Sequence, residues 1–291
     1  MKKITMIGIS LLLIGLVVLG VSGYSAIKSG GVQIKTPNFM GMNMLGFSND
    51  KAEEVIKELS DGRIESLDVE LQMGAMEYKY GNVAYPTLSY QKILRGDTLR
   101  YDVVSEIKNG KLTIRDKYSE NFDILNFGTF KLKPLVLTLP EKYSIKDINI
   151  KMQMGSLNAE SIVTDNIAID LNMGSANIKA SSIGSLTSTL DMGSFTIVDS
   201  KIMGSNITLN MGSFKSNATL KGTHKIKCDM GSINLSLDEN PGAFNYDVTV
   251  QAGSFKINGV KPDNKRLNDP KNNLNLILDV EMGSIDIQAK F

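Results

Sequence analysis

Thr189-Leu-Asp-Met-Gly-Ser194 returns 19 residues later as Thr208-Leu-Asn-Met-Gly-Ser213, and this pair of near-copies decides the fold. Three more copies flank it at the same step: Lys151-Met-Gln-Met-Gly-Ser156, Asp170-Leu-Asn-Met-Gly-Ser175 and Lys227-Cys-Asp-Met-Gly-Ser232. A fixed period of this size is the mark of a repeat architecture, in which each unit buries its apolar face only by stacking on the next. Apolar residues alternate up to the glycine, as in Ile207, Leu209 and Met211, and resume two and four positions after it, as in Phe195 and Ile197. Period two reads as strand. A change of parity at a residue free to adopt unusual backbone angles reads as a corner between two short strands. Nineteen residues then make one coil, and coils stack about 4.8 Å apart.

Degenerate copies extend the series at Leu71-Gln-Met-Gly-Ala75, Val250-Gln-Ala-Gly-Ser254 and Val280-Glu-Met-Gly-Ser284, with Lys261 to Asn273 as the largest expected loop. Read in chain order, the last of these makes residues 281–291 an uncapped end coil with strand edges open to pairing. Ahead of the repeat, Leu99 to Val104 and Leu112 to Ile114 alternate as strands, with Asn109-Gly110 a hairpin signal. Leu135 to Leu139 is an apolar strand that stops at Pro140. The fold class is therefore all-β: a single-stranded parallel β-solenoid over residues 63–291 with about 19 residues per coil.

Three segments precede it. Ile4 to Val21 is apolar or small behind Lys2 and Lys3 and is long enough to span a bilayer core, so residues 1–23 are read as a cytoplasmic start and transmembrane helix. A cleaved signal peptide, with Ser22, Gly23 and Ala26 near its cleavage site, stays open as an alternative. Residues 24–47 lack a period and read as a juxtamembrane linker. Residues 48–62 read as a short amphipathic helix capping the solenoid: Asp50 and Glu53 stand at capping-box spacing, Ala52, Val55, Ile56 and Leu59 share a face, and Gly62 is placed as a stop. The expected location is the cell membrane, single-pass, with the C-terminal body extracytoplasmic.

The 32 Lys and Arg residues against 31 Asp and Glu argue against a nucleic-acid partner, which clustered basic charge would announce. A single cysteine, Cys228, precludes an intramolecular disulfide and a cysteine-based zinc site.

The order of Ile64-Glu-Ser-Leu-Asp-Val-Glu70, then Leu135-Val-Leu-Thr-Leu-Pro140, then glycine-centred coils resembles a bacterial "putative adhesin" family of unknown function, over residues 64–291. The resemblance implies an extracytoplasmic solenoid, with some relatives linked to envelope stress. The family corner often reads Ser-Gly-Asp, where this chain has Met-Gly-Ser.

No catalytic, cofactor-binding or metal residue is assigned from the sequence. Met73, Met154, Met173, Met192, Met211, Met230 and Met282 recur at one position and are expected to stack inside the core, with copper binding there as the alternative. Met40, Met42 and Met44 in the linker form a thioether run suited to Cu(I), set against a plain spacer or a membrane-touching segment. Gln72, Gln153, Asn172, Asp191, Asn210, Asp229, Gln251 and Glu281 precede that methionine position and are expected on a solvated face with amides bonded along the stack; Ca²⁺ capture is the alternative. His224, the one histidine, reads as a surface or loop residue, and no serine sits in a nucleophile elbow. The leading functional reading is a non-enzymatic, membrane-anchored surface that binds a protein or an envelope polymer. The alternatives are a polysaccharide-acting enzyme with acidic and basic residues converging across coils, and a self-assembling scaffold.

Overall fold

The structure is a computed structural model that describes residues 50–119 and 133–290. Every regular element among them is a strand: β1 (Asp50–Glu58), β2 (Ser66–Gly81), β3 (Thr87–Arg95), β4 (Thr98–Lys108), β5 (Lys111–Tyr118), β6 (Leu135–Pro140), β7 (Asp147–Glu160), β8 (Val163–Lys179), β9 (Ser182–Ile202), β10 (Ser205–Leu220), β11 (Gly222–Leu237), β12 (Asn245–Ile257), β13 (Arg266–Leu267) and β14 (Leu274–Ala289). The expected transmembrane helix and linker lie outside the described residues. Among the described residues no helix is long and apolar enough to cross a membrane.

The repeat sets the register. Gly74, Gly155, Gly174, Gly193, Gly212 and Gly231 align from β2 through β7, β8, β9 and β10 to β11, all in parallel pairs. The inward row beyond the corner holds Met76, Leu157, Ala176, Phe195, Phe214 and Ile233, all buried. Each such side chain contributes roughly 1.5–3 kcal/mol when fully buried, Ala176 less. Phe195 and Phe214 meet edge to face with centroids 5.6 Å apart, and the small Ala176 is the register partner of Phe195 on the other side. A further corner recurs at Ser161, Ala180 and Asp199, each at positive φ. There the buried Ser181 and Ser200 hydroxyls accept from the N–H groups of Ile162 and Ser181, both at 3.0 Å.

The glycine is required by close approach. At Gly193 φ is +144°, and a Cβ there would lie 1.7 Å from the Gly174 carbonyl oxygen. No side chain fits between stacked corners.

The C-terminal order departs from chain order. β14 pairs with β11 on one side and with β12 on the other, so the final strand is inserted into the stack and β12 becomes its end. The reading of an uncapped C-terminal coil is corrected: the edge belongs to β12, and β13 covers only Tyr246 and Asp247 of it by ladder pairing. Local sequence cannot distinguish these orders, because both copies carry Gly-Ser and either could stack on β11.

The opposite end is closed by strands that are not coils. β5 pairs with Ser66–Glu70 of β2 and β6 with Met76–Gly81, while β3 and β4 join them through antiparallel pairs. The solenoid reading of residues 63–291 thus holds for the parallel stack and not for this antiparallel end. Asn109 and Gly110, both at positive φ, form the expected hairpin turn between β4 and β5. The expected helix over 48–62 is also corrected. Asp50–Glu58 is a strand antiparallel to β3, and of its supposed apolar face Ile56 is 68% exposed while Leu59 alone is buried. Pairing with an otherwise open edge outweighs the helical spacing of an acidic segment, since tertiary context overrides propensity.

Candidate functional site

Outward side chains before the corner fall into rows, because parallel register repeats each position from coil to coil. One row runs Ser66, Asp147, Asn166 and Ser185, and the next runs Asp68, Asn149, Ala168 and Thr187. Together with Lys111 of β5 these rows line an open concavity of about 380 Å³. The same two rows line a second one, of about 420 Å³, at the far end of the stack, through Thr223, Asn275 and Asn245, then Ile277 and Asp247, with Arg266 beside them. One polar face therefore carries a groove at each end.

Each end of the groove has an aspartate neutralised by a strand outside the coils. Asp68 contacts Lys111 at 2.9 Å and Arg115 at 3.0 Å, and accepts from Asn149 Nδ2 at 2.8 Å. Burial pushes its carboxyl up, but the hydrogen bonds from Lys111, Arg115 and Asn149 outweigh that and hold it at about 2. Arg115 Nε also reaches Glu70 at 3.0 Å. At the other end, Arg266 of β13 lies 2.5 Å from Asp247. Acids and bases thus meet on this face, but Lys111, Arg115 and Arg266 come from strands outside the coils rather than from adjacent coils, and an aspartate ionised this firmly is a poor proton donor or acceptor near neutral pH.

The polar row before the repeated methionine behaves as read. Asn210 Nδ2 donates to Asp191 at 2.7 Å, and Asn172 donates to Gln153. Among the described residues no group of three or more His, Cys, Asp or Glu is placed to hold a metal.

The methionine row corrects its expectation. Met73, Met154, Met173, Met192 and Met211 are half-buried, Met230 is 41% exposed and Met282 is 53% exposed. Strict alternation from Leu209 would point Met211 inward, but the ladder skips the residue before each methionine, as between Leu209 and Met211. The skip falls on both strands alike, so the register is kept, and beyond this break each methionine lies half-buried or exposed rather than in the core.

His224 is corrected as well. It is 1% exposed in β11, with Nδ1 2.9 Å from Ser205 Oγ in the coil below and Nε2 2.9 Å from the Lys221 carbonyl. The carbonyl accepts the Nε2 proton, so the Ser205 hydroxyl donates to Nδ1. Burial pushes the imidazole below its usual range, which keeps it neutral as a packed, satisfied core group.

Residues 95–216 match the family model described as Toastrack DUF4097. That stretch is similar to the Toastrack family. A comparison with curated proteins finds no significant match. Among solved structures, a "putative cell adhesion protein" from Clostridium sporogenes is similar at 16% identity, covering 82% of this chain and 100% of its own, with a TM-score of 0.32. A "putative adhesin" from Parabacteroides distasonis is similar at 9% identity, over 82% and 97%, with a TM-score of 0.39. A "Putative lipid binding protein" from the same species is similar at 14% identity, over 84% and 98%, with a TM-score of 0.30.

Within the described residues, sequence reading located the outward polar row and the glycine corner. It missed the pairing of Asp68 with Lys111, of Asp247 with Arg266, and of Ser205 with His224. The last has a legible signal, since the two residues stand one 19-residue period apart and both lie in repeat coils, whereas Arg266, at the same separation from Asp247, lies outside them. The other two depend on where non-repeating strands dock.

Proposed function

We propose that the chain is a non-enzymatic, membrane-anchored extracytoplasmic module whose polar coil face binds a repeating polymer of the cell envelope. The observation that carries this reading is the pair of grooves on the same two rows, lined by amides, hydroxyls and ion-paired carboxylates. Side chains that repeat about every 4.8 Å offer a periodic set of donors and acceptors to an extended chain. The firm ionisation of Asp68 and the packed state of His224 support binding over turnover.

The test is co-sedimentation of the full-length chain with isolated, insoluble wall polymer. Asn166→Ala with Thr187→Ala removes outward hydrogen-bonding groups from the groove without touching the core. We expect binding to weaken about thirtyfold, at roughly 1 kcal/mol for each of the two hydrogen bonds lost. Release of soluble glycan fragments by the wild-type chain, or unchanged sedimentation of the double variant, contradicts the reading.

A further inference from the structure

We propose that the surface methionine row is a binding site for a soft monovalent cation, Cu(I), held between thioethers of adjacent coils. This site is separate from the polymer-binding groove and does not depend on it.

The inserted β14 decides the continuity of the row. Because β14 lies between β11 and β12, Met282 aligns with Met230, and the seven methionines occupy consecutive rungs from β2 to β14. Stacking in chain order would have placed Ala252 next to Met230 and interrupted the row; instead Ala252 lies beyond Met282. The row is also accessible, most of all at Met230 and Met282.

Thioether sulfur is a soft, uncharged donor that selects Cu(I) over harder ions. With a metal–sulfur bond of about 2.3 Å, the length zinc makes to cysteine sulfur, a two-coordinate ion between two sulfurs would span a distance close to the strand spacing of about 4.8 Å between equivalent side chains. At the accessible end of the row, Met230 and Met282 are thus pre-spaced for one linear ion. The row alongside contributes Asp229 and Glu281 at the exposed end, with Lys227 contacting them at 2.9 and 3.6 Å. The remaining negative charge favours a cation there. Among the described residues no grouping of three or more His, Cys, Asp or Glu is placed to hold a metal.

The experiment uses the full-length chain, loaded anaerobically with Cu(I) and challenged with a chromophoric Cu(I) chelator. Three variants are compared: the ladder variant Met211→Leu/Met230→Leu/Met282→Leu, the linker variant Met40→Leu/Met42→Leu/Met44→Leu, and Met152→Leu as an off-row control. Leucine conserves volume, and single Met282→Leu, at the most exposed rung, serves if the triple ladder variant fails to fold. We expect the wild type, linker variant and control to retain Cu(I), and the ladder variant to lose it. X-ray absorption of the loaded chain is expected to show two sulfur neighbours per ion. No retention by the wild type, retention unchanged in the ladder variant, or loss confined to the linker variant overturns the proposal.

Discussion

Asp116 Oδ2 accepts a hydrogen bond from the Gln72 N–H at 2.7 Å and a longer one from Met73 at 3.4 Å. This is where β5 has stopped pairing with β2 and β6 has not yet begun. The carboxylate stands in for the neighbouring coil at the first Met-Gly corner, and Tyr118 steadies it at 2.8 Å.

Asp116→Ala is expected to cost about 2–3 kcal/mol, since it strands partly buried donors; equilibrium denaturation measures it. The pH dependence has a definite sign. Burial pushes the Asp116 carboxyl above its ordinary value, while the hydrogen bonds from Tyr118, Gln72 and Met73 pull the other way. The folded state therefore holds that proton more tightly, and the contribution of Asp116 falls as pH rises from about 4 through the raised value. Asp116→Asn removes that slope.

Asp68 has the opposite sign. Its pKa of about 2 lies below the unfolded value, so its contribution is present above about pH 4 and is lost as pH falls toward 2, a span of roughly 2 kcal/mol. Acid titration of wild type against Asp68→Asn is expected to show this step only in the wild type.

Gly193→Ala and Gly242→Ala separate crowding from backbone strain. Both glycines have positive φ, but a Cβ at Gly193 meets the Gly174 carbonyl at 1.7 Å while one at Gly242 meets nothing within 4 Å. Gly242→Ala is expected to cost about 1–2 kcal/mol from strain alone. Gly193→Ala is expected to exceed about 4 kcal/mol, in the range reserved for broken packing, as thermal or denaturant unfolding will show.

Removing residues 274–291 is expected to do more than shorten the stack. Among the described residues β12 has β14 as its only long partner, so its amides should lose protection in hydrogen exchange, while β7 to β9 keep theirs.

The sequence makes the coil legible because Gly155 through Gly231 repeat without interruption, and a register follows once one corner is placed. Where it misleads, the cause lies beyond the local pattern. Asp50–Glu58 has helical spacing yet is claimed by the edge of β3. Met211 has inward parity yet lies half-buried beyond a break in the ladder that appears only in the pairing. Asp68 and Lys111 meet because β5, with no repeat of its own, docks on the first coil. Strand order at the C-terminus is a long-range choice between two equivalent copies.

Both the groove at the far end and the unbroken methionine row rest on β14 lying between β11 and β12. Paired cysteines test this directly, in a chain whose buried Cys228 is replaced by alanine. Lys227 is in register with Asp279, and Thr249 lies one strand further on. A disulfide needs Cα atoms about 4.4–6.8 Å apart, which neighbouring strands satisfy and next-neighbours, at about twice 4.8 Å, do not. The account predicts that Lys227→Cys/Asp279→Cys crosslinks under mild oxidation while Lys227→Cys/Thr249→Cys does not. The reverse result would place β12 against β11 and contradict it.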